Sequence, residues 1–145
     1  MFMLNTNIVS AIIRNSTGVA SKRSLLESRR TLVCVSVIVA AEMRFGAAKR
    51  DAPRLSALIE EFLTEIHVMS WEQPADRHHG SIRAMLESSG HSIGANDLFI
   101  AAHAMALNAT LVTANTESFS RVPGLHQENW LIVSAPSGTP ARPLL

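Results

Sequence analysis

Residues 31–48 read TLVCVSVIVAAEMRFGAA, a pattern that predicts a buried strand passing directly into a helix. Residues 32–35 are all apolar and half of them are β-branched, which is typical of a parallel strand covered on both faces. Ser36 ends the strand, and residues 37–48 predict a helix in which Glu42 is a carboxylate among apolar neighbours. A strand followed at once by a helix is the repeating unit of α/β proteins.

The segments on either side repeat this alternation of strands and helices. On the N-terminal side, residues 2–4 predict a first strand that ends at Asn5, and residues 8–14 predict a short helix. A further helix is expected around Leu25 and Leu26. On the C-terminal side, the predicted elements are an amphipathic helix at 55–66, a strand at 67–69, a helix from 74 to Gly90, an apolar helix at 98–107, a strand at 110–113 and an edge strand at 130–133.

Together these elements predict an α/β fold with three layers, in which a central, mostly parallel sheet is flanked by helices. We expect one domain over residues 1–133, followed by a flexible, Pro-rich tail at residues 134–145. Ligands of parallel α/β sheets bind at the carboxyl ends of the strands. The residues that directly follow each strand are therefore the first candidates for chemistry.

Composition excludes several classes of protein. The 145 residues include one cysteine, Cys34, so neither an intrachain disulfide nor a paired-cysteine metal site can form. A net charge of +1 is no nucleic-acid signature, so any charge that binds RNA must be local. The apolar start at residues 1–4 is too short for a signal peptide, and no run reaches the ~18 apolar residues of a membrane span. We therefore expect a cytoplasmic protein that does not enter the membrane.

Several polar side chains occur where predicted strands end or inside apolar helices. Asn5 directly follows the first strand, and Asn115 lies two residues beyond the strand that ends at Thr113. Asp97 begins an apolar helix, and Glu42 lies in the middle of another, where a carboxylate is costly to bury without a cation or hydrogen-bond donors. Oxygen side chains that converge on one cleft are the ligands that Mg²⁺ prefers. The pattern therefore indicates a hard-cation site suited to phosphate chemistry.

Each of these positions also has a purely structural interpretation. Asp97 could cap its helix and complement the helix dipole. Glu42 could pair with an arginine, such as Arg44 on the same helix. Asn5 and Asn7 could both be helix caps. Taken one position at a time, the sequence leaves these alternatives open.

The order and context of four segments resemble the motifs of the PIN-domain family, in particular its VapC-type toxins. The segments are MLNTNI at 3–8, SVIVAAEMRFG at 36–46, IGANDLFIAAHA at 93–104, and LVTANT at 111–116 with FSRVPGL at 119–125. The tripeptide ENW at 128–130 is similar to the usual end of the family. The resemblance extends from Met3 to about Leu131 and does not include the Pro-rich tail.

The resemblance implies a PIN-like domain that acts as an endoribonuclease toxin of a toxin–antitoxin pair. Its cofactor would be Mg²⁺ or Mn²⁺, held by the positions of Asn5, Glu42 and Asp97, with Asn115 as the fourth site residue. The metal would activate a water for attack on an RNA phosphodiester. The implied partners are a VapB-like antitoxin, a structured RNA such as initiator tRNA, and a second copy of the chain in a homodimer.

Asn5 departs from the family's pattern, which has an aspartate at this position. An amide offers one neutral carbonyl oxygen, and its NH₂ group cannot bind a cation. Because Mg²⁺ sites of this kind depend on few carboxylates, metal binding should be much weaker and the chain inactive or slow. The change is isosteric and confined to one group, so we interpret it as an inactivating substitution, introduced deliberately or, as the alternative, by natural loss.

Other residues are weaker candidates for the site. Thr6 and Thr113 could orient water, metal or phosphate through their hydroxyls, or make only turn and cap hydrogen bonds. Glu117 is a second choice for the fourth site position. His103 follows Asp97 by six residues and points to another face of the helix, which favours packing over catalysis. The cations available for RNA phosphates are Arg14, Lys22, Arg23, Arg29, Arg30, Lys49, Arg50 and Arg54.

Two hypotheses of different classes follow. The first is a metal-dependent endoribonuclease, which Glu42 and Asp97 favour. The second is a catalytically silent PIN-fold interaction protein that binds an antitoxin and influences operator binding, which Asn5 favours. A nucleotide-binding α/β protein has little support, because no Gly-rich phosphate loop follows the first strand.

Overall fold

The computed structural model describes residues 1–14, 27 and 30–131, and strands alternate with helices through this part of the chain. The strands are β1 (Phe2–Leu4), β2 (Val33–Ser36), β3 (His67–Met69), β4 (Thr110–Val112) and β5 (Gln127–Glu128). The helices are α1 (Thr6–Ile13), α2 (Val37–Lys49), α3 (Pro53–Glu65), α4 (Ala75–Ser88), α5 (Ala95–Ala106) and α6 (Thr116–Phe119). The predicted helix around Leu25 and Leu26 and the predicted tail at 134–145 lie outside the described residues.

The five strands form one sheet in the order β3-β2-β1-β4-β5, and every neighbouring pair is parallel. This confirms the predicted α/β fold with a parallel sheet. The chain moves outward from β1 to β3 and then returns to place β4 on the other side of β1. The direction of winding therefore reverses between β1 and β4, and a crevice at the carboxyl ends of these strands is where such sheets bind ligands.

The strand register aligns three polar residues at this carboxyl edge. Leu4 of β1 lies opposite Val35 of β2 on one side and Val112 of β4 on the other. The next residue of each chain segment is polar, and all three are buried, with exposed fractions of 4% or less. We call these three residues the polar rung; they are Ser36, Asn5 and Thr113.

The core lies on both faces of the sheet. The central strands contribute fully buried side chains, and α3 packs through most of the face that its apolar spacing predicts, with Leu58 exposed. Cys34 is buried in β2, and burial raises the pKa of its thiol to about 11, so the thiol remains protonated and unreactive. No helix in the described residues has the length and apolar character needed to cross a membrane.

The predicted edge strand at 130–133 is wrong. The last strand of the described chain is β5, which pairs with Leu111 and Val112 and begins three residues earlier than expected. Trp130 instead packs its ring against Phe2 at 5.4 Å between ring centroids and is only 6% exposed. Trp130 thus packs against the sheet from outside the ladder, while the short edge strand itself is polar. Residues 132 and 133 lie outside the described chain.

Two helices begin earlier than predicted. Helix α1 begins at Thr6, because Asn5 caps it directly after β1. Helix α5 begins at Ala95, with Gly94 as its N-cap and no side-chain cap bond. Asp97 is therefore the third residue of α5 and does not cap the helix.

The position of Trp130 predicts a large difference between two adjacent substitutions. Trp130→Ala should lower the free energy of unfolding by about 3–5 kcal/mol, because it empties a buried site against the sheet. Leu131→Ala, at a side chain that is 41% exposed, should change it by about 0.5 kcal/mol. Urea denaturation of both variants gives the comparison. Equal losses would contradict the burial of Trp130 and favour an alternating edge strand.

Candidate active site

Glu42 points from α2 toward the carboxyl edge of the sheet and is half-buried. Its Oε2 accepts a hydrogen bond of 2.9 Å from the Thr6 hydroxyl, whereas its Oε1 is buried and has no hydrogen-bond partner. Burial raises the pKa of the Glu42 carboxyl, and the negative charge of Asp97 adds to the rise. The hydrogen bond from Thr6 and the approach of the Asn96 amide act in the opposite direction.

Asp97 lies in the first turn of α5 and is also half-buried, and burial raises the pKa of its carboxyl. Its charge acts on Glu42, so two carboxylates from different helices share one region of low solvation. The alternative pairing of Glu42 with Arg44 is wrong, because Arg44 forms its ion pair with Glu60 at 2.8 Å. The structure therefore brings together the two acids that the sequence predicted.

Both the oxygen and the nitrogen of the Asn5 side-chain amide form hydrogen bonds. Its Oδ1 accepts from the Thr6 backbone N–H at 2.9 Å, and its Nδ2 donates to Thr113 Oγ1 at 3.1 Å. The predicted cap role of Asn5 is therefore confirmed. Thr113 Oγ1 also accepts from the Asn7 side chain at 3.4 Å and from the Asn115 backbone N–H at 3.0 Å.

This arrangement places three N–H donors on one hydroxyl oxygen, which has only two lone pairs. Exchanging the positions of the Asn5 amide oxygen and NH₂ group does not improve the pattern, because two donors, the NH₂ group and the Thr6 N–H, would then face each other. A carboxylate at position 5 would accept from the Thr6 N–H with one oxygen and from the Thr113 O–H with the other. Thr113 would then accept only from Asn7 and Asn115. The hydrogen-bond pattern thus fits a carboxylate at position 5 better than it fits an amide.

The remaining predicted positions divide into two groups. Asn115 contacts the polar rung through its backbone, and its half-buried side chain makes no cap hydrogen bond. Thr6 and Thr113 lie within the cluster, where they bond to Glu42 and Asn5. Glu117 is exposed in α6, and within the described chain its side chain makes no hydrogen bond or ion pair with the cluster. The structure therefore groups all of the predicted site residues except Glu117.

Sequence reasoning missed two contributors to this region. Asn7 was considered only as a helix cap, yet it links Thr113 with the Ala114 backbone N–H, which donates to its Oδ1 at 3.1 Å. His103 was assigned to packing and is indeed buried, but its Nδ1 lies 2.8 Å from Ser36 Oγ in the polar rung. Neither contact is visible in the sequence, because both depend on which strands are neighbours.

The oxygen side chains of this site suit a hard divalent cation, although they carry less negative charge than three carboxylates would. A cation between Glu42 and Asp97 would give the Glu42 Oε1 a partner and offset the repulsion between the two carboxylates. Within residues 1–14, 27 and 30–131, no group of three or more His, Cys, Asp or Glu side chains is placed to hold a metal. The missing third acid corresponds to Asn5, whose amide oxygen already accepts from Thr6.

A groove of about 210 Å³ extends from Thr6 and Glu42 along α2. Two of the predicted RNA-binding cations, Arg14 and Arg50, lie on its rim, and its apolar floor consists of Ile13, Met43, Leu55 and Ile59. We call this surface the arginine groove. Arg30 lies in another cavity at the amino end of β2, and Lys22, Arg23 and Arg29 lie outside the described residues.

Residues 2–125 match the sequence profile of the PIN domain. The chain is 37% identical over 132 residues to "Ribonuclease VapC2" of Rickettsia felis, covering 90% of this chain and 98% of that protein. It is 38% identical over 130 residues to "tRNA(fMet)-specific endonuclease VapC" of Shigella flexneri, covering 89% of this chain and 97% of that protein.

A solved structure of a related protein has a closely similar fold. The fold superimposes with a TM-score of 0.84 and 35% identity on a chain of the crystal structure of VapBC2 from Rickettsia felis. That structure contains a DNA fragment from the promoter of VapBC2. The superposition covers 89% of this chain and 98% of that chain.

The raised pKa values predict that the two acids destabilise the metal-free protein at neutral pH. The folded state holds the Glu42 proton more tightly than the unfolded chain does, so the free energy of unfolding falls as pH rises through the folded pKa. Glu42→Gln should therefore raise the free energy of unfolding at pH 7 in EDTA. The gain should be about 1 kcal/mol or less, because solvent screens this half-buried group.

Thermal or urea unfolding between pH 4 and pH 7 measures this effect. The gain should shrink below about pH 4, where the carboxyl is protonated in both states. Glu61→Gln, at an exposed position in α3, is the matched control and should change little. A loss of stability in Glu42→Gln at pH 7 would contradict the electrostatic interpretation.

Proposed function

The chain belongs to the PIN-domain family and to its VapC proteins, and on that basis we propose that it carries the site of a divalent-metal-dependent endoribonuclease whose activity Asn5 silences or slows. The observation that carries the proposal is the electrostatically interacting pair Glu42 and Asp97, of which Glu42 has one buried oxygen without a hydrogen-bond partner. The hydrogen-bond pattern around Asn5 suits a carboxylate, which supports the proposal that the site is an active one when an acid occupies position 5.

Glu42 and Asp97 would hold Mg²⁺ or Mn²⁺, and position 5 and Asn115 would complete the oxygen set. When bound, the metal would supply the positive charge that activates a water and stabilises the phosphodiester transition state. Thr6 holds Glu42 Oε2 by a hydrogen bond, and Oε1, which has no hydrogen-bond partner, would be available to the cation. Thr113 orients the side chain at position 5 through its hydroxyl.

Asn5 weakens this site in two ways. The amide brings no negative charge, so the cation would be held by two carboxylates. Its one oxygen is also directed at the Thr6 N–H, which lowers its capacity as a ligand. Both effects act on metal affinity and leave the surrounding fold in place.

We propose a structured RNA as the substrate, with initiator tRNA as the first candidate because a relative is named for that activity. Arg14 and Arg50 carry the local positive charge that the net charge of +1 does not provide, and no ion pair engages either of them within the described chain. Phosphates of an RNA backbone that follows the groove away from Glu42 would meet these guanidinium groups.

A second candidate function is a catalytically silent partner protein, and Asn5 favours it. In that role the chain would bind a VapB-like antitoxin, form a homodimer and influence operator binding, as the DNA-bound complex of a relative suggests. The apolar floor of the arginine groove could accept the side chains of a partner segment.

Restoring the acid tests the first function directly. Asn5→Asp protein should cleave initiator tRNA in Mg²⁺ and not in EDTA, whereas the unchanged chain should cleave at least about 10² times more slowly. The double variant Asn5→Asp, Asp97→Asn is the control and should be inactive. If Asn5→Asp cuts no structured RNA, the nuclease proposal fails and the silent partner protein remains.

The arginine groove predicts RNA affinity in the unchanged chain, which can be measured without cleavage. Arg50→Glu should weaken tRNA binding roughly tenfold at low salt, because it reverses a phosphate-facing charge. Arg54→Glu, at an exposed position at the start of α3, should change it less than about twofold. Fluorescence anisotropy at two salt concentrations gives both values. Equal losses would show that the groove has no special role in RNA binding.

A further inference from the structure

His103 lies in α5, the helix that also carries Asp97, and is 1% exposed. Its Nδ1 lies 2.8 Å from the hydroxyl oxygen of Ser36, which is completely buried. The same hydroxyl oxygen accepts a hydrogen bond of 3.1 Å from the Ile38 backbone N–H and so caps α2, the helix that carries Glu42. One side-chain contact therefore joins the two helices whose carboxylates form the proposed metal site.

The direction of these hydrogen bonds can be assigned from their partners. Ser36 Oγ already accepts from Ile38, so its own proton is free to bond to His103 Nδ1. We assign Nδ1 as the acceptor and place the ring proton on Nε2, which is buried near the Ser70 backbone and has no close hydrogen-bond partner. Burial lowers the pKa of His103, against smaller opposing effects of the Ser70 backbone carbonyl and the Glu72 charge. The lowered pKa makes His103 a neutral imidazole at pH 7.

We infer that His103 is a positioning residue for Glu42, which it controls by holding the Ser36 hydroxyl that caps α2. The inference rests on the proposed metal site. Oε2 of Glu42 accepts a hydrogen bond from Thr6, the Asn96 amide of α5 approaches the carboxylate, and Oε1 accepts no hydrogen bond. The position of Glu42 relative to Asp97 therefore also depends on the placement of α2, which begins after its cap Ser36. His103 sets that beginning relative to α5.

Two substitutions of His103 test the roles of Nδ1 and Nε2 separately. His103→Asn keeps an acceptor oxygen close to the place of Nδ1 and loses the Nε2 end. His103→Gln extends toward the Nε2 end and loses the acceptor at Nδ1. Ser36→Ala removes the hydroxyl itself. If His103 acts through Ser36, the Asn variant should resemble the parent protein, whereas the Gln and Ser36→Ala variants should resemble each other.

The first measurement is Mn²⁺ affinity by electron paramagnetic resonance, in the Asn5→Asp protein with each variant added. His103→Gln and Ser36→Ala should each weaken binding about fivefold, the size expected for losing one helix cap. His103→Asn should change it less than about twofold. The double variant Ser36→Ala, His103→Gln should bind no more weakly than either single variant, because both act on one contact.

The second measurement needs no metal and separates this inference from the proposed function. Carbon-detected NMR of the unchanged chain in EDTA gives the pKa of the Glu42 carboxyl. His103→Gln and Ser36→Ala should move that pKa in the same direction, and His103→Asn should leave it in place. If the Asn5→Asp protein binds no Mn²⁺, the metal proposal fails, and this pKa still decides whether His103 positions Glu42.

Three outcomes would overturn the inference. In the first, all variants lose stability by similar amounts while Mn²⁺ affinity and the Glu42 pKa stay constant, which would make His103 a packing residue only. In the second, the effects of Ser36→Ala and His103→Gln add in the double variant. In the third, His103→Asn is as damaging as His103→Gln. Where His103→Gln does not fold, Ser36→Ala and His103→Asn carry the comparison.

Discussion

The parallel register of β1, β2 and β4 places three polar residues side by side in a buried position, and the site depends on this alignment. A buried polar side chain without a partner is costly, so each member of the polar rung has to find one. Asn5 and Thr113 bond to each other, and Ser36 bonds to His103 and to the Ile38 backbone. The same bonds fix where α1 and α2 begin, because Asn5 and Ser36 are their caps. The hydrogen bonds that stabilise the edge of the sheet thereby also orient the residues of the cleft.

The two carboxylates of the cleft oppose the stability of the fold that holds them. Glu42 and Asp97 are both partly removed from water, and the charge of Asp97 makes ionisation of Glu42 harder. A bound cation would reverse this effect, so stability and metal binding are coupled at the same atoms. A third acid at position 5 would improve the hydrogen bonding of Thr113 and also add charge to the metal-free cleft. With Asn5 the cleft lacks this third negative charge, but the Thr113 hydroxyl oxygen faces three N–H donors with two lone pairs.

Much of this arrangement could be predicted from the sequence, for identifiable reasons. The buried strands are short apolar runs and α3 has regular apolar spacing, so both were visible as patterns. Glu42 and Asp97 were found because carboxylates among apolar residues need an explanation. The edge strand β5 was missed because Gln127 and Glu128 are polar and the pairing is only two residues long. The links from Thr113 to Asn7 and from His103 to Ser36 were missed because they join residues far apart in sequence, and strand order is not encoded in any local pattern.

The way Asn5 is bonded has a consequence for heredity. Asparagine and aspartate codons differ at a single base, and the backbone, the cap on α1 and the contact with Thr113 can be kept in either form. On the proposed function, a silent binding protein and an active nuclease are separated by one base change. The Asn5 form keeps the fold and its contacts while lacking the charge on which cleavage would depend.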